Sequence, residues 1–205
     1  ENRIEVEPLT LALLGTCVYP QYTVSVAMLD KAGSIDAAYY HGRDDFLVEH
    51  SFPEPGIYEF LTAADRATIE ERFMRKLALA RGPAPGSGTF RVPISGVEGA
   101  RELAKAGKRE EITKLLNERG MGGEEAERAI SIFESATRSL FLVKVVYGES
   151  PDDTKGSGLA LLEQEGGYWL LSGDTDRLDS FTVTPVSGEG AERRLREFFA
   201  AGFGA

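Results

Sequence analysis

The feature that most limits the fold is a series of short apolar segments joined by turns too brief to hold a helix. Tyr22-Thr23-Val24-Ser25-Val26-Ala27-Met28 alternates polar and apolar side chains, as a strand with one buried and one wet face does. A Gly33-Ser34 turn follows, then SIDAAYYH, an Asp44-Asp45 turn, FLVEHSF, a Pro53-Glu54-Pro55-Gly56 turn and IYEFL. Connections this short favour antiparallel meanders over βαβ crossovers, which need a dozen residues or more. A long helical pattern over 64–81 closes the run, with Ile69, Phe73, Met74 and Leu77 at helical spacing.

The same order returns later. LFLVKVVYG leads into a Pro151-Asp152-Asp153 loop, then GLALLEQE, a Gly166-Gly167 turn, YWLLS, a polar loop, FTVTPV and a helical pattern over 189–201 carrying Ala191, Leu195, Phe198 and Phe199. Phe46 and Tyr168 lie 122 residues apart, and Tyr58 and Phe181 lie 123 apart. Both halves therefore read strand-strand-strand-strand-helix. Identity between them is slight, so either a structural duplication or a coincidence of a simple order accounts for it. The expected fold is α+β: two pseudo-symmetric antiparallel sheet-plus-helix halves (ββββα) with helices between them. The expected unit is one domain over 1–205, divisible into an N-terminal half (1–82) and central helices plus a C-terminal half (89–205). The stretch 82–88 (GPAPGSG) is the loop or hinge that joins them.

Helix ends are marked as well. Thr62-Ala63-Ala64-Asp65 and Ser95-Gly96-Val97-Glu98 both read as capping boxes, and Gly82-Pro83 stops the first of these helices. The second helix ends near Gly107. A third is expected over 108–119 with Ile112, Leu115 and Leu116 on one face, and a fourth over 124–137 with Ala126, Ala129, Ile130 and Phe133.

Composition narrows the function. The net charge is −10, from 23 Lys+Arg against 33 Asp+Glu, so phosphate backbones and anionic lipid are repelled. The one cysteine, Cys17, allows neither an internal disulfide nor a Cys-based zinc site, and a reducing, cytoplasmic setting is expected. The apolar run over 9–14 is too short to cross a membrane. The chain opens on Glu1 and not on Met, which leaves a lost upstream segment open.

Candidate chemistry is sparse. His41 and His50, the two histidines, have Asp44, Asp45 and Glu49 nearby, a set that suits a metal or acid–base site; the plainer reading puts both on adjacent strands of a hairpin. Asp174-Thr175-Asp176-Arg177-Leu178-Asp179 lacks the glycine and closing glutamate of a calcium loop and reads as a solvated loop. The stretch 82–88 has no Gly-Lys-Ser/Thr ending, and Gly120-Met121-Gly122-Gly123 is followed by Glu124 and Glu125, so neither is a phosphate cradle. No serine has glycines at both the −2 and +2 positions, so no nucleophile elbow is present. No catalytic residue, metal or cofactor is assigned, and the expectation is a non-enzymatic binding protein. Tyr168 and Trp169 point to opposite faces of one strand: one belongs to the core, and the other is either core or an interface anchor.

Two resemblances follow. Segments 141–147 (FLVKVVY) and 165–170 (EGGYWL) resemble the closing meander of NTF2-like domains, which implies a small-molecule-binding or lyase/isomerase-type domain. Over nearly the whole chain, the order is similar to the EspG family of type VII (ESX) secretion chaperones. The residues that carry this likeness are Ile57-Tyr58-Glu59-Phe60-Leu61 and its helix, the extended Phe90-Arg91-Val92-Pro93-Ile94, and the two short helices split at Gly120-Met121. The closing 166–171, Phe181-Thr182-Val183-Thr184-Pro185 and last helix complete the order. An Arg-rich, Gln-Phe-Gly-like segment expected after the central helices is replaced by Ser135-Ala136-Thr137-Arg138-Ser139. The resemblance implies a cytosolic chaperone or adaptor that holds a helical secreted pair, such as PE–PPE or WXG100-like proteins, soluble for export. A structural, self-associating protein, with a homodimer as its form, is the remaining alternative. Expected contact residues are Lys31 and Ser34 in one loop, Glu149, Asp152, Asp153 and Lys155 in the other, and Trp169.

Overall fold

The computed structural model describes residues 6–32, 35–44, 46–62, 65–174 and 177–200. In chain order these form α1 (Pro8–Val18), β1 (Tyr22–Asp30), β2 (Ile35–Arg43), β3 (Phe46–Glu54), β4 (Ile57–Thr62) and α2 (Arg66–Leu77). There follow β5 (Phe90–Pro93), α3 (Ile94–Lys105), α4 (Arg109–Glu118) and α5 (Gly123–Ser135). The chain closes with β6 (Arg138–Val146), a 3₁₀ turn (Pro151–Asp153), β7 (Lys155–Gln164), β8 (Gly167–Asp174), β9 (Arg177–Val186) and α6 (Gly188–Ala200).

The short turns do produce antiparallel pairing throughout. Nine strands join in one sheet, in the order β4-β3-β2-β1-β6-β7-β8-β9-β5. β1 and β6 pair at its centre, Tyr22 against Val146 and Asp30 against Arg138, and one meander runs outward from each. The tight β7–β8 turn places Glu165 at φ 52° and Gly166 at φ 82°, the left-handed pair that a twisted hairpin demands.

Four local expectations need correction. α1 spans the apolar run over 9–14, which the sequence alone marks only as too short to cross a membrane. α2 starts at Asp65, whose carboxylate accepts from the Thr68 amide at 2.8 Å, while the Thr62 hydroxyl donates to the Leu47 carbonyl and belongs to β4. α2 also ends before Gly82-Pro83, because Ala78 takes the left-handed conformation (φ 44°) and turns the chain away. The Asp174–Asp179 stretch is largely the β8–β9 hairpin and not a free loop; Thr175 and Asp176 lie outside the described residues.

Each face of the sheet carries its own core. On one face, Tyr22, Val24, Tyr40, Leu142, Leu161 and Tyr168 meet Ile69, Phe73 and Leu77 of α2 and Ala191, Leu195 and Phe199 of α6. Tyr40, Phe73 and Phe199 join there ring to ring, with centroids 4.6–5.5 Å apart. On the other face, Ala100, Ile112, Leu116, Ala126 and Ile130 of α3–α5 cover Ala160, Leu162, Trp169, Leu171 and Val183. Tyr168 and Trp169 do point to opposite faces, and both are core. Trp169 is 4% exposed and its indole N–H donates to Gln164 Oε1 at 2.6 Å, so its ring is not a surface anchor.

Two devices fasten the layers. Lys144, 2% exposed in the middle of β6, donates from Nζ to the carbonyls of Phe198 and Phe199 at 3.2 Å each. These carbonyls lie in the last turn of α6, where a cation suits the helix dipole. Burial, with the Arg66 charge adding and Glu70 partly offsetting, pushes the amine down to about 8. The second device is the stretch 82–88, which is a strap and not a slack hinge. Gly82 N–H donates to the Gly166 carbonyl at 2.7 Å, and Gly188 N–H to the Gly82 carbonyl at 3.0 Å. A Cβ at Gly167 would stand 2.0 Å from the Pro83 carbonyl oxygen, so only glycine lets the strap lie this close.

Candidate functional site

The helices leave half of one face uncovered. α3–α5 lie over β5 and β7–β9 and reach Phe141 of β6, while among the described residues the same face of β4, β3, β2 and β1 and the rest of β6 has only α1 at one end, against β2 and β3. Pairing register sets what that bare half shows. One row across the strands reads Val143, Ser25, Tyr39, His50, Phe60. The next reads Val145, Thr23, His41, Val48, Thr62, of which Thr23 and Val48 are buried. Small residues occupy the middle, and larger ones rise on both sides.

The β2–β4 side is a lattice of rings with His50 at its hub. Its centroid lies 4.4 Å from Phe60, 4.6 Å from Phe52, 5.8 Å from Tyr58 and 5.9 Å from both Tyr39 and His41. Tyr58 is 63% exposed, and Phe52, Phe60 and Tyr39 are also open to solvent. Val143, 50% exposed, and Tyr147 stand on the β6 side. Leu9, Leu11, Leu14, Val18 and Tyr19 of α1 and its exit add further uncovered apolar surface. Such a contiguous apolar face on a protein surface marks an interaction site, because leaving it wet costs free energy that a partner recovers.

Between these walls runs an open trough of about 1000 Å³, lined in part by Cys17, Tyr19, Thr23, Tyr39, His41 and His50. Gln21 fixes the α1 end, exchanging hydrogen bonds with the Asp44 amide (2.9 Å) and carboxylate (3.0 Å). Its backbone amide donates to Gly42, and its carbonyl accepts from Tyr147. The His41 ring shares a 3.2 Å hydrogen bond with the Thr23 hydroxyl through Nδ1. Burial lowers the pKa of both imidazoles below the usual value, and for His41 the neighbouring His50 adds to it. The histidines therefore sit on adjacent strands of one hairpin, as the plainer reading has it. Glu49, the acidic neighbour proposed with them, faces the opposite side and pairs with Arg72 at 3.1 Å. Asp45 lies outside the described residues. Among the described residues, no three His, Cys, Asp or Glu side chains converge as a metal site would require. Cys17, half-buried, has its thiol pushed up by burial, which suits a packing role better than a nucleophile.

The structure does not bring the two expected contact loops together. Lys31 follows β1 where Asp30 pairs with Arg138, whereas Glu149, Asp152, Asp153 and Lys155 follow β6 where Val146 pairs with Tyr22. They stand at opposite ends of the central strand pair, roughly 30 Å apart at about 3.4 Å per residue. Glu149 lines the trough. Lys31 instead borders a smaller cleft of about 240 Å³, where Val97, Phe133 and Phe141 meet between the helices and β6. Asp153 is engaged by the Ser150 hydroxyl at 2.7 Å, and Asp152 and Lys155 are exposed. Ser34 lies outside the described residues. The ring lattice does not follow from simple strand alternation. Its signal is apolar side chains at both parities, as in Tyr39-Tyr40 and in Ile57-Tyr58-Glu59-Phe60-Leu61, where a strand wet on one side would alternate.

Among the described residues no helix is long and apolar enough to cross a membrane. No family model matches the chain, and no curated protein matches it by sequence. The search of solved structures does find a likeness. The chain is similar to EspG5, the type VII secretion system chaperone of Mycobacterium tuberculosis, solved in complex with a PE25-PPE41 dimer. The TM-score is 0.60 at 14% identity, covering 98% of this chain and 80% of that one. At that identity the likeness shows architecture: this chain has the α+β fold of the EspG5 chaperone.

Proposed function

We propose that this chain is a non-enzymatic binding protein, a chaperone or adaptor of type VII secretion. In this reading it acts in the cytosol and holds a helical substrate pair of the PE–PPE or WXG100-like kind soluble until export. The observation that carries the reading is the bare aromatic half-face of the sheet, in a chain that shares its fold with a chaperone solved with its protein cargo. An apolar helical tip laid on the trough would cover Tyr39, Phe52, Tyr58 and Phe60 and give the rings the burial they lack. The loops at Lys31 and at Glu149–Lys155 would flank the cargo from the two ends of β1 and β6. A trough open along its length suits a protein surface better than the small, largely enclosed substrate of an NTF2-like enzyme. We take 1–205 as one domain of two related halves built outward from the β1–β6 pair.

Affinity purification of the tagged chain from its own cells, followed by mass spectrometry, tests the reading. A helical, secreted-type protein or pair recovered in near-equal amount supports it. Recovery of the chain alone, or only with itself, while type VII substrates are expressed, refutes it.

A further inference from the structure

His41 and His50 lie on one face of neighbouring strands with ring centroids 5.9 Å apart, inside the surface assigned to the cargo. Their surroundings suit neutral rings and oppose charged ones. His50 is packed among Phe60, Phe52, Tyr58 and Tyr39, and its Nε2 is shut from solvent with no hydrogen-bond partner among the described residues. His41 has the Thr23 hydroxyl from β1 and Tyr39 from its own strand. The titratable and charged groups that share the trough are Cys17 and Tyr19 from α1 and its exit, Tyr39 and Arg43 from β2, and Tyr147 and Glu149 from β6 and beyond. Arg43 is already a cation there, bonded to the Tyr19 carbonyl at 2.9 Å and 3.9 Å from Asp44. Glu149 is the carboxylate lining the trough, and it stands in an exposed loop on the β6 side.

We propose that the His41–His50 pair makes the trough acid-releasable: neutral rings accept the apolar tip of the cargo, and protonated rings expel it. This rests on the cargo-binding reading above. The trough's rings and aliphatic groups, set beside the polar Gln21, Thr23 and Ser25 and the charged Arg43 and Glu149, hold cargo mainly by apolar burial. Two adjacent imidazolium charges oppose that burial, because covering them with an apolar surface strips their water and leaves the charge unpaired. Both rings are neutral at neutral pH, held so by burial and, at His41, by the second ring. Protons bind the empty trough and not the filled one, so each pH unit below the free-state pKa weakens binding up to about ten-fold per ring.

Two measurements test this. The first needs no cargo: Nile Red, an uncharged apolar dye, is titrated against the purified chain at about pH 7.5 and about pH 5, on either side of the ordinary imidazole range. Circular dichroism is recorded at both values to show that the fold persists. Each chain's dye affinity at the lower pH is read against its own affinity at the higher one: that of the parent chain should fall several-fold, and the fall should vanish in His41→Gln/His50→Phe, whatever that variant's affinity at neutral pH. An unchanged affinity in the parent chain, or an equal fall in the double variant, overturns the proposal. The second measurement washes the cargo complex, purified at neutral pH, with the acidic buffer. Of the cargo that each chain captures at neutral pH, a larger fraction released from the parent chain than from the double variant supports the proposal; equal fractions overturn it while leaving the cargo reading intact. A pH-dependent dye response in a chain that never captures a helical substrate overturns the cargo reading instead, and acid release of cargo with it.

Discussion

Lys144→Met turns the buried amine under α6 into a measurement. In the fold the Lys144 amine sits at about 8, against 10.5 when free, because burial disfavours the ammonium. Between those values the folded state holds fewer protons than the unfolded chain, so this group makes stability rise with pH. The full difference is worth about 3 kcal/mol at ~1.36 kcal/mol per unit, and the part realised between about pH 7 and 9 is ~1 kcal/mol. Tyr22 and Tyr40 do not confuse the window: burial raises both, so the stability they supply is present up to ordinary tyrosine ionisation near 10 and is lost only above it. The Met variant loses two bonds to the Phe198 and Phe199 carbonyls but also loses the desolvated charge, and Arg66 still donates to Phe199 at 2.8 Å. Its stability near pH 7 should therefore lie within about 1 kcal/mol of the parent. Urea unfolding followed by the fluorescence of Trp169, the sole and buried tryptophan, reads both chains across the pH series. The difference between the two curves should slope by ~1 kcal/mol over the window. Parallel curves would refute the burial argument, as would a loss above ~3 kcal/mol near pH 7, the size expected when an essential buried pair is broken.

Three further outcomes are expected. Tyr58→Ser/Phe60→Ser should cost roughly 1–2 kcal/mol, since Tyr58 is largely open to water and Phe60 gives up only its stacking on His50, yet fail to capture cargo in the affinity assay. Gly188→Ala would place a Cβ 1.9 Å from the Ala80 carbonyl oxygen, a backbone atom just before the strap, and should cost roughly 2–4 kcal/mol in the same urea experiment. Phe73→Ala empties the meeting point of Tyr40 and Phe199 and should cost about 3–5 kcal/mol; a loss under ~1 kcal/mol would mean that α2 is not seated there.

Much of this architecture is legible in the residues because period and turn chemistry agree. Alternation in β1, left-handed glycine at the β7–β8 turn, and the 3.6-residue stripes of α4, α5 and α6 all lie where sequence logic puts them. α1 escapes the same logic: Leu9, Leu11 and Leu14 do not line one stripe, and Gly15, Thr16 and Val18 are weak helix formers. The strap is unreadable for another reason. Gly82 and Gly188 look like ordinary helix punctuation, and only the approach of chain segments more than 80 residues apart gives them their role. The trough combines both difficulties. Each ring is visible in sequence, but pairing register alone places Tyr39, His50 and Phe60 side by side, and only the positions of α3–α5 reveal which half of the face stays uncovered.

The β1–β6 pair also sets a timetable for synthesis. Arg138 follows Tyr22 by 116 residues, and β1 has no other neighbour on that side. Ribosomes add about 5–20 residues per second, so β1 waits roughly 6–23 s for the strand that completes it. Through that interval its inner edge presents unpaired amides and carbonyls beside Val24 and Val26, the kind of edge to which stray strands add. Nascent chains halted before Arg138 carry that open edge, and chains carried past Val146 can close it.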